Sequence, residues 1–214
     1  MELAISSTYL PFLKRVLTPA RLQHSLGVMQ VMGELAKIYA LDEESALTAG
    51  LLHDAAKDLP VESIEQIVTE AHISFGHPCE RDYVLYLHGP VGAYFVHAAL
   101  GVADPAILDA IYRHTWVGEI TELEPPLVWC VRFADILEPY RRWDGAAQVI
   151  REGEPRLRET VYAGRLVEAA WVQADILIRF FEGAGKPIHP NYHKVHKELS
   201  ARLKKTGDAG IDGR

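Results

Sequence analysis

Helix-start punctuation recurs along this chain, and it restricts the fold more than any single residue does. Thr18-Pro19, Asp42, Pro60, Asp104-Pro105, Pro125-Pro126 and Pro190 each stand before a run of residues with helical periodicity. A cap oxygen accepts from one of the orphan N–H groups of the first turn, and proline at the first position has no N–H to leave unmatched. From 18 to about 40, Leu22, Leu26, Met29, Met32, Leu35, Ala36 and Tyr39 form one apolar stripe. The same reading predicts helices from 43 to about 57, from 60 with Ile64, Ile67, Val68 and Ala71 inward, from 89 to 100, from 104 to 114 and from 126 to 138. After Gly153 it predicts one long amphipathic helix, 154–182, broken only by Gly164, and a last helix from 190 to about 205. No segment alternates apolar and polar residues as a half-buried strand does. The expectation is an all-α fold of eight to ten helices, packed as a non-bundle single domain over 1–205, followed by a polar, glycine-rich, disordered tail at 206–214.

Length and charge narrow the partners. At 214 residues the chain supports one well-buried core. A formal charge of -7 excludes a general affinity for nucleic acid, which needs a basic surface, but leaves room for a small basic pocket facing a phosphorylated ligand. Cys79 and Cys130 form no CxxC pair and no disulfide framework, which fits a reducing compartment. There is no signal-peptide pattern and no apolar run of the ~20 residues a membrane helix needs. The chain therefore reads as cytoplasmic, with no membrane partner. The adjacent aromatics Phe180 and Phe181 are hard to bury on one helix side, which leaves a homodimer face open.

Six side chains carry the chemistry: His24, the doublet His53-Asp54, His88, His114 and Asp135. Apart from the doublet, each falls on or at the end of a different predicted helix. Burying imidazoles and carboxylates is costly unless something satisfies them, and a divalent cation does so. Without cysteine, the donor set suits iron, manganese, cobalt or zinc rather than a thiolate structural site. A carboxylate bridging two cations is the usual arrangement for two-metal phosphoryl chemistry. His72, His77, His97, His193 and His196 read as ordinary hydrogen-bonded histidines, and Asp109 and Asp175 as solvated acids. Glu138, one turn beyond Asp135, is balanced between a surface acid and a group that orients a ligand.

With their flanks, these residues resemble a known family. Arg21-x-x-His24-Ser25-Leu26-Gly27-Val28, Gly50-Leu51-Leu52-His53-Asp54-x-x-Lys57, His88-Gly89-Pro90-Val91-Gly92-Ala93, Ile107-Leu108-Asp109-Ala110-Ile111-x-x-His114-Thr115 and Ala134-Asp135-x-x-Glu138-Pro139-x-Arg141 are similar to the HD superfamily of metal-dependent phosphohydrolases. Within it they resemble the bacterial symmetrical diadenosine tetraphosphate hydrolases of HD type. The motifs span about 19–141, and Pro187-Ile188-His189-Pro190 resembles the family's closing segment. The resemblance implies two divalent metal ions, iron first. His24, His53, Asp54 and Asp135 would hold one, and the bridging Asp54 with His88 and His114 the other. It implies symmetrical cleavage of diadenosine tetraphosphate to two ADP by a metal-activated hydroxide. Lys57 and Arg141 are then candidates for charge neutralisation on the polyphosphate, with Arg21 and Thr115 behind them.

One position departs from the family pattern. A small residue or glycine is expected just after His114-Thr115, but Trp116 stands there, suited either to stack on an adenine or to fill the core. The rival readings are an HD-type nucleotidase or phosphodiesterase on another nucleotide, a di-iron oxygenase, and a nucleotide sensor that binds without turnover.

Overall fold

The structure, a computed structural model, describes residues 1–117, 125–141 and 148–206. These residues fall into two compact units, 1–117 with 125–141, and 148–206. Every regular element among them is helical, as the punctuation predicts.

In the first unit, α1 (Glu2–Val16) precedes α2 (Pro19–Ile38), whose Thr18 cap accepts from the Arg21 N–H. The same cap is tied to the chain beyond the His-Asp doublet, because Asp58 accepts from both the Thr18 N–H and its hydroxyl, at 2.8 and 2.9 Å. α3 (Glu43–Leu52) starts at Asp42, whose carboxylate accepts from the Ser45 N–H at 2.8 Å. α4 (Val61–Glu70), α5 (His88–Leu100), α6 (Pro105–Arg113) and α7 (Pro126–Leu137) complete the unit. The predicted stripe of α2 is inward over its central turns, with Met29, Met32, Leu35 and Ala36 buried. α2 packs on α3 and α7, and α6 packs on α3, α5 and α7.

In this unit two departures from the expected boundaries stand next to histidines. The helix predicted through Lys57 ends at Leu52. Beyond it the chain tightens into three-residue turns, with the Ala55 N–H on Leu52 O, Lys57 N–H on Asp54 O and Leu59 N–H on Ala56 O. Before α5, the segment Tyr83–Leu87 is wound as a π-helix, an uncommon turn that re-aims the start of α5.

The second unit holds α8 (Gln148–Tyr162), α9 (Leu166–Gly183) and α10 (Pro190–Thr206). The helix predicted over 154–182 parts at Gly164 as expected, where φ is +71°, a left-handed conformation that costs glycine little, but it begins earlier, at Gln148. Gly153, which the periodicity takes as a break, lies inside α8. A Cβ there would stand 2.5 Å from Ile176 Cδ1, so this glycine lets α9 approach closely. Phe181 is buried against Tyr192 of α10, ring centroids 5.4 Å apart, while Phe180 is half-buried. The tail predicted at 206–214 lies, beyond Thr206, outside the described residues. No helix among the described residues is long and apolar enough to cross a membrane.

Candidate metal centre

All six side chains singled out by the motif order converge in the first unit. His24 comes from α2, the doublet from the turn after α3, His88 from the first residue of α5, His114 from the cap of α6, and Asp135 from the last turn of α7. His24, His53, Asp54, His88 and His114 are buried, and the Asp135 side chain is about a third exposed.

Asp54 organises the cluster. Its Oδ2 lies 3.8 Å from the Nε2 atoms of both His24 and His53, and its Oδ1 lies 3.4 and 3.6 Å from those of His88 and His114. Asp135 Oδ1 closes the first side, 3.1 Å from His24 Nε2 and 3.8 Å from His53 Nε2. Each carboxylate oxygen of Asp54 thus faces its own pair of imidazoles. Donor atoms bound to one cation at ~2.1 Å stand roughly 3.0 to 3.4 Å apart, close to the spacings found here. Ligand atoms of His24, His53 and Asp135 all lie within 4.8 Å of one another, as do those of His53, Asp54 and His114.

The far ring nitrogens settle which way the donors point. His53 Nδ1 donates to Gly50 O at 2.8 Å, His88 Nδ1 to Tyr83 O at 3.0 Å, and His114 Nδ1 to Ile111 O at 2.6 Å. A carbonyl only accepts, so Nδ1 carries the proton and the neutral ring keeps a lone pair on Nε2, facing the centre. His24 is aimed the same way by Glu138, whose Oε1 is 3.0 Å from its Nδ1. Glu138 is buried, so it is not the surface acid of its two balanced readings. Nε2 atoms converging at 3.1 to 3.2 Å, His88 on His114 and His24 on His53, make a donor set suited to a cation, which would replace the Nε2 proton that His24 carries beside its acids. The π-helical turn serves the same purpose, since it brings the Tyr83 carbonyl to His88 while the Tyr83 hydroxyl donates to Ala56 O.

Protonation follows from burial and neighbours. Burial holds His53 down to about 3 and His88 well below the ordinary imidazole range, so both are neutral near pH 7. Burial opposes charge on His24 too, but its hydrogen bonds to Asp135 and Glu138 prevail and lift it to about 9. Desolvation would raise both aspartates. It is outweighed at Asp54 by Lys57 and His53, and at Asp135 by Arg141 and His24, and both carboxyls stay well below the usual range.

The candidate phosphate contacts are distributed unevenly. Arg21 Nη1 binds Asp54 Oδ2 at 2.9 Å, and Arg141 Nη1 binds Asp135 Oδ1 at 2.6 Å; both side chains are about a quarter to a third exposed. Lys57 is deeper, its Nζ 2.7 Å from His88 Nε2, 3.0 Å from Val84 O and 3.7 Å from Asp54 Oδ1. Thr115 is buried with its hydroxyl on Tyr112 O at 3.4 Å, and does not line the open cleft beside His24. Trp116 is core: it is 1% exposed, edge-on to Trp129, with the Arg132 guanidinium 4.4 Å above its ring. Its φ of +66° explains why a glycine is expected at this turn, for a bulky residue there is strained. Gly118, two residues on, lies outside the described residues. Asp109 and Asp175 are bound to Arg113 and Arg179, one helical turn away in each case, as solvated acids would be.

An all-helical unit whose histidines and aspartates converge on one buried centre is the pattern of a metal-dependent hydrolase, and the sequence model of the HD domain family matches residues 21–140. The chain belongs to that family. It is 28% identical over 194 residues to a protein of Halalkalibacterium halodurans named bis(5'-nucleosyl)-tetraphosphatase, symmetrical, with 89% of this chain and 94% of that one aligned. A protein of the same name from Bacillus subtilis is 34% identical over 148 residues, covering 69% and 77%. A crystal structure from Clostridium acetobutylicum, described as a predicted HD superfamily hydrolase involved in NAD metabolism, superposes with a TM-score of 0.74 at 31% identity, over 93% of this chain and 96% of that one.

Proposed function

We propose that this protein is a metal-dependent hydrolase that cleaves diadenosine tetraphosphate symmetrically, releasing two molecules of ADP. The observation that carries the reading is the division of Asp54, one oxygen toward His24 and His53, the other toward His88 and His114. That division suits a pair of divalent cations, one held by His24, His53, Asp54 and Asp135, the other by Asp54, His88 and His114. Iron is the first expectation, with manganese, cobalt and zinc compatible with the same donors. When bound, such a pair supplies Lewis acidity toward phosphoryl oxygens and lowers the pKa of water. The names of the relatives from H. halodurans and B. subtilis supply the substrate.

Symmetrical cleavage forms a P–O bond between water oxygen and one of the two inner phosphorus atoms. The central P–O–P link breaks, ADP leaves from the far side, and one proton goes to solvent. The work of this chain's own side chains is to hold the tetraphosphate in line and offset its charge. Arg21 and Arg141, partly exposed beside the two aspartates, grip phosphoryl oxygens with planar forks, and Lys57 adds a deeper point charge. The four Nδ1 tethers keep the rings from turning as substrate enters.

The test is an anaerobic assay of metal-reconstituted protein on a nucleotide panel, with products resolved chromatographically. ADP as the sole nucleotide product from diadenosine tetraphosphate is expected. AMP with ATP would replace this reading by asymmetrical cleavage, and inertness toward every phosphate ester would replace it by a sensor or an oxygenase.

A further inference from the structure

The stacking surface that Trp116 does not provide is found elsewhere in the first unit. Tyr140 is 50% exposed, and among the described residues it is the one Phe, Tyr or Trp on the exposed surface. It stands on the wall of a cleft of about 370 Å³ whose other walls include Arg21, Gln23, His24, Glu138 and Arg141. That volume falls within the range of small-molecule sites.

The ring is held there by its surroundings. Glu138 Oε2 accepts from the Tyr140 N–H at 2.7 Å while Oε1 of the same carboxylate binds His24. Beneath the ring lies Gly27, where a Cβ would strike Glu138 Oε2 and stand 2.9 Å from Tyr140 Cδ2. The absence of a side chain at Gly27 therefore allows the tyrosine to rest on α2. One carboxylate sets both the imidazole at the metal centre and the aromatic ring at the cleft. Arg21 and Arg141 line the same cleft, each with one Nη1 on an aspartate of the centre.

A cleft lined by a histidine of the metal centre, two arginines and an exposed aromatic ring offers what a nucleotide's phosphates and base need. We infer that it seats one ADP half of the substrate, with Arg21 and Arg141 on its phosphates and Tyr140 as the platform for its base. This rests on the hydrolase reading above and adds to it the site that recognises the nucleoside. Stacking accepts any base face, so the platform selects for a nucleoside end without selecting adenine over guanine.

The experiment is calorimetric binding of ADP and of inorganic pyrophosphate to metal-loaded protein, wild type, Tyr140→Ala and Tyr140→Phe, with turnover of diadenosine tetraphosphate followed in parallel. Tyr140→Ala is expected to weaken ADP about tenfold or more while pyrophosphate stays within about twofold, and Tyr140→Phe to bind both as wild type does. Equal weakening of both ligands by Tyr140→Ala would reduce Tyr140 to a structural prop and overturn the inference. So would unchanged ADP binding. If wild type releases no ADP from the dinucleotide but the selective loss of ADP binding holds, the hydrolase reading fails and the nucleotide site stands.

Discussion

The two compact units of this protein break their helices for different reasons. In 148–206 the breaks are connections. Gly164 and Gly185 take positive φ, and the helices on either side are ordinary amphipathic segments closed by Leu157, Ile176, Phe181 and Leu199. In 1–117 with 125–141 three departures from regular helix each lie next to a histidine of the centre. The three-residue turns surround His53 and Asp54, the π-helix precedes His88, and the left-handed Trp116 comes just after His114. Ala40, His72 and Gly101 of the first unit also take positive φ at helix ends, so irregular backbone there both joins elements and aims side chains, whereas in the second it only joins elements. Part of the irregularity of the first unit thus lies where chemistry is presented.

The sharpest way to break that contrast is to remove one acid from each unit. Asp54→Ala is expected to lower kcat/KM by on the order of 10³ or more, since both halves of the centre lose a donor at once. Asp175→Ala, which gives up a surface pair with Arg179, should stay within about twofold. Comparable losses in the two variants would dissolve the distinction.

Core truncation gives the next largest effect, with the opposite assignment. Phe181→Ala should destabilise by about 3 to 5 kcal/mol in denaturant unfolding and leave metal affinity per folded molecule unchanged. Metal titration of the folded fraction reads the second half of that statement. Chelation then separates the units by a different route: adding metal at ~100 times its Kd stabilises the metal-free protein by about 2.7 kcal/mol. Hydrogen exchange should place the added protection in α2, α3, α5, α6 and α7, and protection confined to α8–α10 would contradict the assignment.

Smaller effects sharpen the roles of single groups. Glu138→Ala should weaken metal binding by about 10- to 100-fold through His24, with the remaining donors intact. Gly153→Ala should cost about 1 to 3 kcal/mol, because its methyl meets Ile176, and should not change metal affinity. An unaltered unfolding midpoint would show that α8 and α9 can part at no cost.

Much of this was legible in the residues, for reasons that also mark the limit. Proline and cap residues act locally, so helix starts at Pro19, Pro105, Pro126 and Pro190 could be read directly. The six cluster residues stood out because buried histidines and acids need a common partner, and their flanks repeat a family pattern. What escaped depends on contacts distant in sequence. Glu138 could be weighed as an orienting group, but its partner His24 lies 114 residues away and no periodicity announces the pairing. Gly27 and Gly153 look like helix weaknesses until Tyr140 and Ile176 are found against them. The helix expected through Lys57 fails because the His53 ring takes the Gly50 carbonyl, a choice that apolar spacing does not encode. Trp116 could be weighed as core or as stacking surface, and only its burial decides.

The moorings of the imidazoles have an evolutionary consequence. Three rings are fastened to the main chain of their own turn, three or five residues upstream, and not to side chains that drift can replace. A mutation in the surrounding core can shift an entire helix, but ring and anchor then travel together and the aim is kept. Such a cage can hold its bearing while most of the residues around it are exchanged.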